Sequence, residues 1–222
     1  MRNKKLIVLL ASSLLAAGSA SGAGLPKLPK LPGLSKEAAA PASSGTSQEG
    51  LVQRYVQAST SFNMALRELA LAYGLKEHAA KLDAEIMALQ SGAVNDKDSL
   101  KKNTAVSSEA QAAVKERMDQ NEQLTEEGRK HYAAAWQPYI EGYRLSRTLP
   151  DEAMSFKSSA QAQIDSASPL EKLKVVSKFS AGMFLAGEAP GFLGRVSTGF
   201  GQLVSYAQKN DIAVPKDATS ML

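Results

Sequence analysis

Between Gly128 and Leu149 the chain places its only tryptophan, half of its tyrosines and a proline in the segment GRKHYAAAWQPYIEGYRLSRTL. Tyr132, Trp136, Tyr139 and Tyr143 stand at i, i+4, i+7 and i+11, so all four project from one face of a helix. Gly128 and Ala135 share that face, Arg129, Arg144 and Arg147 flank it, and Pro138 on the far side removes a backbone donor and predicts a kink. A row of large rings has to be covered, and two kinds of cover are open. It can be the core of a helical bundle. Alternatively, three phenols on one face want three hydrogen-bond partners, which an interface or an amphiphile-binding groove supplies better than an apolar core does. Arginines alongside suit an anionic group at the rim. On the second reading the candidate binding residues are Tyr132, Trp136, Tyr139, Tyr143, Arg129 and Arg147.

The rest of the chain also reads as helix. Thr46-Ser-Gln-Glu49 forms a capping box ahead of Leu51, Tyr55, Phe62, Leu66, Leu69 and Tyr73, which share one face. At Gly74 the phase of the apolar period changes, so a C′ glycine ends the first helix and a second runs over residues 76–90. Residues 91–98 read as a turn. From about Lys97 a long polar helix is expected to continue into the aromatic segment, with bends at Gly128 and Pro138 and an end at Pro150. Its middle is lined by Ala, Ser and Thr, and reads as protruding, frayed or fixed only by a partner. Another helix opens at Asp151.

Ser168-Pro169-Leu-Glu171 then starts a helix to Gly187 that is apolar around most of its circumference and is expected in the core. A break at residues 188–190 leads to the last helix. There Phe192, Val196, Phe200, Leu203 and Ala207 form one face, and Gly194, Thr198, Gly201 and Ser205 form a ridge of small side chains opposite, which predicts close backbone packing. Alternating strand patterns are lacking. The expected fold is therefore all-α: an elongated bundle of five to six helices over residues 47–210, followed by a tail over 211–222.

The N-terminus predicts a destination. Arg2, Lys4 and Lys5 precede an apolar run from Leu6 to Ala17, followed by small residues, which is the pattern of a signal peptide cleaved after Ala20 or Ala23. Residues 24–46 contain a Leu-Pro-Lys repeat that favours polyproline II and reads as a disordered, Pro-rich linker. The sequence has no cysteine, so neither a lipid-anchor thiol nor a disulfide is available. A periplasmic or secreted protein is expected.

Charge narrows the partners. The formal charge of +4 falls to +1 without Arg2, Lys4 and Lys5, and to about −1 without Lys27, Lys30, Lys36 and Glu37. Because Lys and Arg are interleaved with Asp and Glu, no concentrated basic face marks a nucleic-acid partner.

No catalytic constellation is present either. The two histidines, His78 and His131, are far apart, while Glu127 with His131 and Asp96 with Asp98 lack the further ligands that a metal needs. The glycines at 191, 194, 199 and 201 follow no strand, so they fail as a nucleotide loop. No haem or other cofactor is expected. The sequence thus predicts a non-enzymatic, exported helical protein that binds a protein or an amphipathic small molecule through its aromatic face. The alternative is a membrane-active protein that inserts residues 168–209 as an apolar, Gly-rich hairpin.

Overall fold

The structure, a computed structural model, describes residues 46–221. The expected signal peptide, and the expected linker except Thr46, lie outside the described residues. The chain forms α1 (Gln48–Ala72), α2 (Lys76–Gln90), α3 (Lys97–Asp119), α4 (Glu126–Ser146), α5 (Leu149–Ser166), α6 (Pro169–Lys178), α7 (Ser180–Lys209) and a short α8 (Lys216–Thr219). There is no strand among the described residues, and the all-α bundle stands.

α1 is the central helix, touching α2, α3, α4, α5 and α7. Its apolar stripe of Leu51, Tyr55, Phe62, Leu66 and Leu69 is buried as the periodicity predicts. The cap shifts by one residue: Ser47, not Thr46, accepts from the backbone N–H of Gly50. The closest helix pair is α1 with α4. A Cβ on Gly142 would lie 3.0 Å from the Phe62 nitrogen, and one on Gly128 would lie 2.6 Å from the Ala72 carbonyl oxygen. Two glycines on one face of α4 therefore let its backbone lie against α1 at both ends.

Four helices end in the same way. After α1, Gly74 at φ +67 lets Leu75 N–H reach back to Ala70 O and Gly74 N–H to Leu71 O, the paired bonds of a Schellman motif. Gly92 repeats this after α2 and Asn121 after α3, and after α7 Asp211 at φ 52 lets Ile212 N–H reach back to Ala207 O, the longer bond of the pair. Asn121 explains why the expected continuous helix through residues 97–150 is two. A non-glycine residue at φ 52 ends α3, and Thr125 caps the new helix α4 by accepting from Gly128 N–H. α4 then continues through Pro138 as one helix.

α3 neither frays nor protrudes. It packs on α1 through short polar side chains: the Ser59 hydroxyl donates to Asn103 Oδ1, Ser107 to Asn63 Oδ1, both at 2.6 Å, and Tyr55 shares a hydrogen bond with Thr104 at 2.8 Å. Leu100, Ala110 and Val114 of α3 are buried as well. Residues after 210, expected as a tail, are also part of the fold, since α8 buries Ala218 fully and Ile212 and Val214 pack on the core.

The C-terminal half departs furthest from expectation. The expected core helix over residues 168–187 bends at Phe179 instead, and the expected break at Pro190 is absent, because α7 passes through it. The bend has a definite cause. In a continuous helix Gly182 N–H would donate to Lys178 O, but Gln48 inserts its amide between them. Gln48 Nε2 donates to Lys178 O and Gly182 N–H donates to Gln48 Oε1, both at 3.0 Å. Phe179 turns inward onto Phe156, at 5.9 Å between ring centroids, and α6 is left with no buried residue. The small-residue ridge is a second correction. Gly194, Thr198 and Ser205 are exposed, and nothing lies within 4 Å of a Cβ placed on Gly194 or Gly201. The backbone approaches occur at Gly128 and Gly142 instead, and Gly182 meets the Phe156 ring, because α7 turns its Phe192–Phe200–Leu203 face inward and leaves the ridge outside.

The glycines provide a test. Gly128→Ala should destabilise the protein by about 1–3 kcal/mol, since the opposing atom is backbone and cannot rotate away. Gly194→Ala should stabilise it by up to about 1 kcal/mol through helix propensity alone. Denaturant unfolding of the two variants checks both signs.

Candidate functional site

The aromatic face of α4 points into the bundle. Tyr132, Trp136 and Tyr139 are 0%, 3% and 1% exposed, and only Tyr143 is half-buried. The phenols find their partners on α7: Tyr132 donates to Leu203 O at 2.5 Å and Tyr139 to Val196 O at 3.2 Å. The tyrosines are seven residues apart and so are the two carbonyls, in reverse order, which fixes an antiparallel register between the helices. Phe200 fills the space between them. Tyr143 stacks on it at 5.2 Å with planes 7° apart, and Trp136 meets it edge-on at 6.3 Å. Trp136 Nε1 is buried with no hydrogen-bond partner among the described residues.

The flanking arginines separate. Arg129 donates to Asn210 O at 3.2 Å, at the C-terminal end of α7, where a cation is favoured by the free carbonyls. Arg147 is exposed at the C-cap of α4. The candidate residues therefore form a seam between α4 and α7 with an exposed arginine at each end, of which Arg129 is tied to α7. The demand of two of the three phenols, which pointed to a partner, is met by carbonyls of the same chain.

The other polar clusters are paired internally. His131 Nδ1 lies 2.7 Å from Glu68 Oε2 and its Nε2 lies 3.8 Å from Glu127, while Arg67 bridges Glu68 and Asp83. Asp96 is the N-cap of α3 in a full capping box. Among the described residues no group of three His, Cys, Asp or Glu side chains is placed to hold a metal ion. A polar cleft beside Gln53, Arg54, Gln57 and Arg144 has both arginines engaged, by Glu152 at 2.8 Å and Glu141 at 3.0 Å.

Apolar surface is concentrated where α5, α6 and α7 meet. Leu170 and Leu173 on α6 are 95% and 83% exposed, and Val176 is 48% exposed. Beside them a groove of about 520 Å³ is lined by Ile164, Val176, Met183, Phe184 and Gly187, with Lys97 and Glu188 at its edges. That volume is within the range of small-molecule sites, and the lining is mostly apolar with one cation, Lys97, and one carboxylate, Glu188, which Arg195 pairs. Periodicity alone does not locate this site, because it places the apolar residues of segment 168–187 in the core. The signal that moves them outward is Gln48, 130 positions away from the carbonyl it binds.

Compared with protein-family models, curated proteins and solved structures, the chain matches none.

Burial has a consequence for the aromatic seam at high pH. Loss of hydration pushes the hydroxyls of Tyr132 and Tyr139 well above the ordinary tyrosine range, with neighbouring phenols adding to the effect on Tyr132. The unfolded chain ionises these groups near pH ~10 and the folded chain does not. Their contribution is therefore complete below about pH 10 and is lost as pH rises beyond it. Alkaline titration should show phenolate absorbance from these two residues appearing together with loss of helical circular dichroism, and Tyr139→Phe should move that transition to higher pH.

Proposed function

We propose that this chain is an exported, non-enzymatic binding protein that takes an amphipathic ligand at the apolar groove between α5, α6 and α7. The observation that carries the reading is that groove, with Ile164, Val176, Met183 and Phe184 as its wall and Lys97 at its rim. Apolar side chains would hold an acyl or comparable hydrocarbon segment, and the Lys97 ammonium would meet an anionic head. The basic N-terminus, apolar run and small-residue cleavage sites support export to the periplasm or beyond. The aromatic seam of α4 serves this reading as scaffold, since it fixes the register of α7, from which half of the groove is built.

Insertion of residues 168–209 as a membrane hairpin is the weaker alternative. Among the described residues no helix is long and apolar enough to cross a membrane, and the apolar face of α7 is occupied by contacts with α1, α4 and α5.

Gly187 gives a clean test. It is exposed and lines the groove, and a Cβ there meets nothing within 4 Å. Gly187→Phe should fill the groove without straining the fold and weaken binding of a dansyl-labelled fatty acid by at least about tenfold. Equal affinity in the wild type and the variant would sink the groove as the site.

A further inference from the structure

The lysines of α6 bear on what its exposed apolar face meets. At 3.6 residues per turn, Leu170, Leu173 and Val176 cover an arc of about 120°, and the body of the protein lies behind Val175 and Phe179 on a different arc. Lys174 stands just beyond the Leu170 edge of the apolar arc and Lys172 just beyond the Val176 edge, with Lys178 further round on the Lys174 side. The only acid on the helix, Glu171, is held by the Ser168 hydroxyl at 2.6 Å. Three lysines against one glutamate make α6 locally basic on a folded part whose formal charge is about −1.

An apolar strip with lysines on both borders is the arrangement of a helix lying in a membrane interface. Its leucines enter the acyl boundary, and the lysine stems run along the apolar surface with their ammonium groups at the phosphates. We infer that α6 is a docking helix for an anionic lipid bilayer surface, holding the protein on the membrane without crossing it.

A second copy of this chain fits less well. A two-fold contact through the strip would bring the lysine borders of the two copies together, and three side chains offer far less than the about 800 Å² per partner that a stable complex buries. A bilayer supplies both the apolar layer and the negative charge. The inference rests on the proposed groove only in sharing its neighbourhood, since vesicle binding through Leu170 and Leu173 does not require the groove to be filled.

The test uses the chain from Gly24 onward, which keeps the whole described fold, and vesicles of equal parts phosphatidylglycerol and phosphatidylcholine. The wild type should sediment with these vesicles at least about tenfold more strongly than with pure phosphatidylcholine. Leu170→Gln with Leu173→Gln should reduce binding by at least about tenfold, and Lys172→Gln with Lys174→Gln and Lys178→Gln should erase the preference for anionic lipid. All five side chains are exposed, so unchanged circular dichroism and melting confirm that the variants fold. Because the chain has no cysteine, Leu173→Cys can carry a single bimane label, whose emission should move blue only on the anionic vesicles. Absence of vesicle binding, equal binding by the leucine variant, or a dimer that the leucine variant abolishes would each overturn the inference. Gly187→Phe should bind vesicles as the wild type does, so the groove and the docking helix can fail separately.

Discussion

The closeness of α1 and α4 is the constraint from which the other contacts follow. Small residues at Gly128, Ala135 and Gly142 let the two backbones lie against each other. Large rings then have to leave that contact sideways, and α7 receives them. Phe62 on α1 packs edge-on against both Tyr139 of α4 and Phe192 of α7, at 5.5 and 5.8 Å, so the three helices share one aromatic centre. The phenols reach past it to α7 carbonyls that already serve the helix ladder, using the second lone pair of each oxygen. The Tyr132 and Tyr139 hydroxyls are thus satisfied inside the aromatic centre by the chain itself, while Trp136 Nε1 and the Tyr73 hydroxyl are buried there without a partner.

What the sequence made legible was whatever depends on near neighbours. Gly74 marked the end of α1 and the start of α2 because a left-handed cap and a shift in apolar phase coincide there. The turn over residues 91–98 was also readable, and the structure adds that Asp96 caps the helix that follows it. Asn121 and Asp211 perform the same task as Gly74 and Gly92, but each costs more in that conformation and so carries a weaker signal. The aromatic stripe was correctly a stripe; that it faces α7 depends on pairing across more than fifty residues, which periodicity cannot encode. The small-residue ridge of α7 and the glycines of α4 are indistinguishable as patterns, and only the packed bundle decides which one meets a backbone.

The molecule also separates two kinds of helix contact. α4 and α7 are joined to α1 by rings and methyl groups, whereas α3 is joined to it by Ser, Asn and Thr. In that polar contact the Nδ2 groups of Asn63 and Asn103 are buried without partners. The α1–α3 contact is accordingly the less favourable one per unit area, because unpaired amide groups offset part of what the hydrogen bonds contribute. Around α6 the balance is different again. That helix has ends fixed by Pro169 and by the bend at Phe179, and a flank that touches little.

The amide of Gln48 joins the first turn of the fold to the bend between α6 and α7. Gln48 is also the first residue of α1, so it lies where the chain coming from residues before Thr46 enters the bundle. Those two hydrogen bonds take the place of the one that Gly182 N–H and Lys178 O would make with each other in a continuous helix. The direction in which α6 leaves α7 is in this sense tied to the position of the first turn of α1.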